Sequence, residues 1–339
     1  MSFQVSFQDN AEHIVDGRQS FRQVLLREMV PEEALEVLLS SIAPSTFKQY
    51  QSSFKQWYNF CKTEDNSAFL SPNRFSVLKF LTKKFKEGSS YGTLNTHRSA
   101  ISLLSLNKIG EDFLISRFFK GVYRLRPTHP KYTHTWDVSI ILNHLKNLDL
   151  TNQDLTTLTL KTVMLLALAS AHRVQTLTSI DIRCIVFTNF GVEIKIEELI
   201  KTSAHGRPQP LLHLPFFKDC PELCVASHLQ KYLEYTSNIR NDIKKLFISL
   251  TRPHKPVTSQ TISRWLKRVL KDGGIDVQIF TAHSTRHAST STAFSKGIDI
   301  ETIRKTAGWS ENSQVFGRFY NRQILNSNAF AHAVFNIDC

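Results

Sequence analysis

His283-Ser284-Thr285-Arg286, then Gly308-Trp309, then Arg318-Phe319-Tyr320, form the most telling pattern of this chain. Two pieces precede them. Ala171-His172-Arg173-Val174-Gln175-Thr176-Leu177 follows the apolar stretch Val163 to Ala169, and Glu198-Leu199-Ile200-Lys201-Thr202-Ser203 lies in a stretch of β-type alternation. Singly, each is weak. A lone His-x-x-Arg is common on helix surfaces, and a lone Tyr is usually a packed residue with its hydroxyl at the surface. The ordered set is hard to reach by chance. Arg173, set behind an apolar run, is expected to be partly buried and to need an anionic partner.

Working outward, the pattern predicts a mainly α fold with a small β region (α+β). Short strands are expected at Ile185-Val186-Phe187, Val192 to Ile196 and Leu211 to Leu214, with Ile200 a strand residue running into a turn at Thr202 to Gly206. Helices are expected at about 137–147 and 154–170, and helical pattern resumes after the strands, with breaks at Arg252-Pro253, Gly273-Gly274 and Gly297. Upstream, Pro31-Glu32-Glu33 starts a helix, with acids suiting its dipole. Ser45 can cap the next, which carries Phe47, Tyr50, Phe54, Trp57 and Cys61 at helical spacing. Further helices start near Ser71-Pro72 and after Gly88-Ser89-Ser90, and a fifth covers about 112–125. The resulting division is an N-terminal arm at 1–30 (mobile, or a short helix), a helical domain at 31–125, a proline-marked linker at 126–136 and a mixed domain at 137–339.

The formal net charge is +13. Residues 43–135 hold 15 Lys and Arg against 5 Asp and Glu, so one segment carries most of that excess. A basic helical unit favours nucleic acid as partner. Its aromatics read as core. Lys83, Lys84, Lys86, Arg98, Lys108 and Lys120 are the candidates for phosphate contact, because such residues reach phosphates without reading sequence. No apolar run approaches the roughly 20 residues of a membrane span, and Met1-Ser2-Phe3-Gln4 opens no secretory signal, which places the chain inside the cell. The five cysteines do not suggest a disulfide framework. Cys220 and Cys224, with His213 and His228 nearby, fit no standard zinc module, so no metal site is expected.

The order Arg, β-hairpin Lys, His-x-x-Arg, Trp and terminal Tyr resembles the catalytic set of the tyrosine recombinase (phage integrase) family. The resemblance covers both halves of the chain: a basic core-binding domain, then a catalytic domain. Arg-Val-Gln-Thr-Leu, Gly-Trp-Ser and Arg-Phe-Tyr look most like recombinases of eukaryotic mobile elements of the DIRS and Crypton kinds. The resemblance implies DNA cleavage and rejoining through a 3′-phosphotyrosine, without metal or cofactor. Arg173 and Arg286 would neutralise the phosphoryl transition state with permanent forked charges. His283 would bind a non-bridging oxygen or manage the tyrosine proton. Trp309 would offer an indole N–H and orient the site. Lys201 would protonate the departing 5′-oxygen, with Lys195 as its competitor. Tyr320 would be the nucleophile. His287, directly after Arg286, points elsewhere on a helix and reads as structural; Tyr232 and Tyr235 fall in a packing helix.

Two features depart from the broader family: Thr176 stands where many members have an acid, and the Trp-to-Tyr spacing is about two residues longer than in well-known phage members. The partner implied is double-stranded DNA, with a dimer on one site and a tetramer on two. An apolar tail, Leu325 to Phe335, is expected to form a helix that docks on a neighbouring subunit or packs on its own. A eukaryotic-type relative implies a nuclear location. The competing readings are a type IB topoisomerase-like activity and a domesticated DNA-binding protein without catalysis.

Overall fold

The computed structural model describes residues 15–64, 69–105, 108–129, 131–148, 154–310 and 313–324. The chain divides into two compact units, residues 1–129 and 130–339.

The first unit is all helical: α1 (Gly17–Arg27), α2 (Glu32–Ser40), α3 (Pro44–Glu64), α4 (Arg74–Lys86), α5 (Tyr91–Ser102) and α6 (Phe113–Leu125). Side-chain oxygens start four of them. Asp16, Asn73, Ser90 and Asp112 each accept backbone N–H groups that a helix start leaves unpaired. Asn73 and Ser76 cap each other reciprocally, so α4 begins there and not at Ser71-Pro72, and Ser45 lies inside α3. The core is aromatic. Trp57 stacks on Phe60 at 5.6 Å and meets Phe80 edge-on at 5.4 Å. Of the two readings of residues 1–30, the short helix is the one seen: Phe21, Val24 and Leu25, at helical spacing on α1, are buried in this same core. From Gly17 onward the supposed arm belongs to the unit.

The second unit comprises β1 (His134–Thr135), α7 (Val138–Lys146), α8 (Leu155–Ser170), α9 (Val174–Ser179), β2 (Ile185–Phe187), β3 (Gly191–Lys195), β4 (Leu211–Pro215), α10 (Val225–Thr236), α11 (Ser259–Asp272), α12 (Ser284–Ser295), α13 (Ile300–Thr306) and β5 (Gln323–Ile324). Helix α8 is buried on every side, which its continuous apolar run requires. Strands β2, β3 and β4 form an antiparallel sheet in chain order, with buried Ile194 opposite buried Leu212. Residues 196–210 are a loop with a turn at Ile200 to Ser203, so Ile200 is not a strand residue. Within the expected linker, Tyr132 and Trp136 are buried in the second core, and the Trp136 indole donates to the Ser284 hydroxyl at 2.9 Å. The expected tail helix lies outside the described residues. Among the described residues no helix is long and apolar enough to cross a membrane.

Candidate active site

Helix α8 ends at Ala171, whose φ of +50° turns the chain sharply. His172 and Arg173 therefore leave the helix axis, and Arg173 stands half-buried at the start of α9. Across from them, α12 presents His283 at its start and Arg286 in its first turn. Arg286 is only 1% exposed. One guanidinium N–H donates to the Ala307 carbonyl at 2.8 Å, while Nε and Nη1 have no hydrogen-bond partner among the described residues. Its charge lies 4.3 Å from the Trp309 ring and 5.3 Å from the Tyr320 ring. The buried Trp309 indole N–H is likewise unpartnered among the described residues.

Tyr320 closes a π-type turn, Phe316–Tyr320, in which the Asn321 N–H reaches back to the Phe316 carbonyl at 2.8 Å. Its hydroxyl lies 2.7 Å from His283 Nε2. Its ring meets Trp309 at 4.8 Å and stacks face to face on His287 at 4.2 Å. His287 was expected to point elsewhere. It follows His283 by four residues, one helical turn, and so shares its face; that spacing was the missed signal.

Lys201 lies exposed in the 196–210 loop. It is among the cations that lower the His283 pKa, whereas Lys195 pairs with Glu197 at 3.3 Å. Arg207, unnoticed in the sequence, donates to the Thr202 carbonyl at 3.3 Å and to the Gly308 carbonyl at 3.2 Å. It ties the Lys201 loop to the turn before Trp309. Only the fold could reveal it, since a half-buried loop arginine carries no sequence signature. Tyr232, by contrast, is a core residue whose oxygen accepts the Ile248 N–H at 3.2 Å.

His283, Arg286, Trp309 and Tyr320 of the sequence motif thus meet, with Arg173 and Lys201 in electrostatic reach of them. Their charges act on one another. Burial, then Arg173, pulls Arg286 down to about 9, still protonated at neutral pH. Burial, then Arg286 and Arg173, lowers His172 to about 3. Desolvation, followed by Arg286, Arg173, Lys131 and Lys201, lowers His283 to about 4. His283 has an edge open to solvent, which screens those charges, so buried His172 governs the consequence for stability. The unfolded histidine protonates near pH 6.5 and the folded one does not, so the unfolded state binds more protons below that pH. Stability is full above about pH 6.5 and falls with acid by about 1.4 kcal/mol per pH unit for His172, until its folded value is reached. Urea midpoints measured between pH 7 and 4.5 should show this acid limb. His172→Gln should flatten it; an unchanged slope would contradict the assignment.

Among the described residues no group of His, Cys, Asp and Glu could hold a metal ion. Cys224 is buried and accepts N–H and O–H donors from Phe217 and Ser227.

The basic candidates on the first unit have different surroundings. Lys83, Lys86 and Lys120 are exposed. Lys83 and Lys86 line an open groove of about 550 Å³ together with Phe60, Lys79, Thr82 and Glu87. Lys84 pairs with Glu87 at 2.8 Å, and Lys108 with Glu111 at 3.8 Å. Arg98 packs on the Phe119 ring at 4.9 Å and donates to the Gly110 carbonyl, so it serves the unit's interior.

Residues 135–324 match the sequence profile of the phage integrase family. The chain belongs to this family. Its match spans more than half of the chain and includes Arg173 through Tyr320. No curated protein matches. Solved structures establish the fold of this integrase-family chain. XerH site-specific recombinase, in a post-cleavage complex with palindromic difH substrate, aligns over 95% of this chain and 96% of its own, with TM-score 0.62 and 13% identity. The Tn1549 transposon integrase in complex with transposon right end DNA covers 95% and 99%, with TM-score 0.53 and 12% identity. A lambda integrase tetramer bound to a Holliday junction covers 92% and 79%, with TM-score 0.52 and 14% identity. The mainly helical architecture with a small three-stranded sheet is the tyrosine recombinase fold.

Proposed function

We propose that this integrase-family chain cleaves and rejoins DNA strands through a 3′-phosphotyrosine, in site-specific or mobile-element recombination. The observation that carries the reading is the meeting of the Tyr320 hydroxyl with His283 at 2.7 Å, beside the buried, incompletely paired Arg286 guanidinium. Unpaired buried donors are costly in a protein that does nothing with them. A phosphate diester would satisfy the free N–H groups of Arg286 and Trp309.

Arg286 and Arg173 bind the non-bridging oxygens and stabilise the charge that grows on them. The Tyr320 oxygen attacks phosphorus. Its proton passes to His283, which is neutral at pH 7 and able to accept it. The P–O5′ bond breaks as the new P–O bond forms, and Lys201 gives its proton to the leaving 5′-oxygen. The phosphodiester energy stays in the tyrosyl ester, so a 5′-hydroxyl from the same or another strand reverses the step without ATP. No metal or cofactor enters the scheme. Double-stranded DNA is the partner, with Lys83, Lys84, Lys86, Lys108 and Lys120 as phosphate contacts, two protomers on one site and four on two. The sub-patterns around Arg173, Trp309 and Tyr320 support a mobile-element origin, and with it a nuclear site of action.

The test is a pool of nicked duplexes of randomised sequence, in which cleavage beside the nick releases a short fragment and traps the enzyme. A denaturant-resistant protein–DNA adduct should form, and Arg173→Ala should slow it by about 10²–10³-fold. No adduct, or an unchanged rate in Arg173→Ala, would refute the proposal.

A further inference from the structure

His283, His287 and Ser291 follow one another at intervals of four on α12 and so lie along one face of it. All three touch Tyr320 or its backbone. His283 meets the hydroxyl at 2.7 Å. His287 lies under the ring, 4.2 Å away and only 15° from parallel. The buried Ser291 hydroxyl donates to the Tyr320 carbonyl at 2.7 Å and accepts the Arg322 N–H at 3.1 Å. His287 also meets Tyr132 edge-on at 5.2 Å, whose oxygen is fixed by the Thr281 hydroxyl at 2.7 Å and backbone N–H at 3.2 Å. Past Tyr320, β5 pairs in parallel with β1, through His134 opposite Gln323 and Thr135 opposite Ile324.

We infer that His287 and Ser291 are positioning residues for the nucleophile: α12 aims Tyr320 by gripping its ring and backbone from the same face that carries His283. The inference rests on the reading of Tyr320 as nucleophile and deepens it. A π-type turn has no regular helical register to place the tyrosine, so its ring direction needs outside support. A fixed ring and a fixed peptide leave few other torsions to set where the hydroxyl stands. Misplacement by about 1 Å costs on the order of 10²-fold in rate. Both contacts come from the helix that carries Arg286, so nucleophile and phosphate-binding cation move as one piece.

Two measurements on the full chain separate this inference from the reading it rests on. Hydrogen exchange followed by mass spectrometry needs no DNA. In Ser291→Ala the peptide spanning 313–324 should lose protection, with Arg322 exchanging about tenfold faster, the equivalent of one hydrogen bond. Helix α8 should be unaffected, and Ser291→Thr should restore protection. The second is the rate of adduct formation on the nicked-duplex pool at saturating DNA. His287→Leu and Ser291→Ala should each lower it by about 10²-fold with DNA affinity unchanged. His287→Phe, which keeps a flat ring under Tyr320, should stay within about threefold of wild type. Unchanged exchange in Ser291→Ala would overturn the inference. So would a faster adduct in either variant, which would mean that the grip parks the tyrosine. If exchange behaves as expected but the wild-type chain forms no adduct, the grip stands and the nucleophile reading fails.

Discussion

Arg286→Met is expected to make the second unit more stable while lowering DNA cleavage by about 10²–10³-fold. The two effects have one cause. Arg286 is 1% exposed, and among the described residues one of its N–H groups is matched, by the Ala307 carbonyl, while Nε and Nη1 have no partner. Arg173 adds a second positive charge close enough to lower the Arg286 pKa. Without DNA, the folded state therefore holds a desolvated cation that no described residue pairs with an anion. A buried apolar side chain of similar length removes that penalty, and such replacements stabilise proteins by about 1–4 kcal/mol. The lost bond to Ala307 and the lost contact with the Trp309 and Tyr320 rings offset part of this, leaving a gain of about 1 kcal/mol. Urea unfolding reads it as a higher midpoint at unchanged slope. Added sulfate should raise the midpoint of the wild-type protein, since an anion that binds only the folded state stabilises it, and should leave Arg286→Met unmoved. A lower midpoint in the variant would mean that the guanidinium is already satisfied.

Gly308→Ala is expected to be the most damaging single-methyl change in the site. Gly308 has φ of +65°, a conformation that costs an L-residue about 1–2 kcal/mol. A Cβ there would lie 2.7 Å from Cε1 of His172, well inside van der Waals contact. His172 is buried, so relief requires moving it or the turn, at about 1–3 kcal/mol. The sum is a loss of about 2–5 kcal/mol. Activity should fall too, because Gly308 precedes Trp309 and its carbonyl anchors Arg207, which holds the Lys201 loop. The double variant with His172→Ser should recover the steric part and leave the backbone part, giving a coupling of about 1–3 kcal/mol in a thermodynamic cycle. Gly308→Ala as stable as wild type would show that the turn is free to relax.

Most of the architecture could be read from local pattern. Caps, prolines and apolar spacing placed the helices from α2 to α8, and the three short strands fell where alternation put them. What was missed has physical reasons. Phe21, Val24 and Leu25 form one short apolar stripe on a helix of 11 residues, too little to stand out beside the aromatic α3. Tyr132 and Trp136 lie among prolines and polar residues, and their burial depends on Phe280 and Ser284, some 148 residues away in sequence for Trp136 and Ser284. The six candidate residues could be singled out in the sequence by their order, and the structure brings His283, Arg286, Trp309 and Tyr320 into contact. His287 was set aside because adjacent residues on a helix diverge by about 100°, although the same geometry brings it back under His283 one turn later. Arg207 acts through backbone carbonyls, which leave no trace in a side-chain pattern.

The measurement that bears most directly on the account is the identity of the residue joined to DNA. The nicked-duplex adduct should be digested with protease and nuclease and the nucleotide-bearing peptide sequenced by mass spectrometry. The account places the phosphodiester on Tyr320, at the 3′ end of the cut strand, and expects Tyr320→Phe to form no adduct while still binding DNA. An adduct that persists in Tyr320→Phe, or a nucleotide found on another residue, would contradict it.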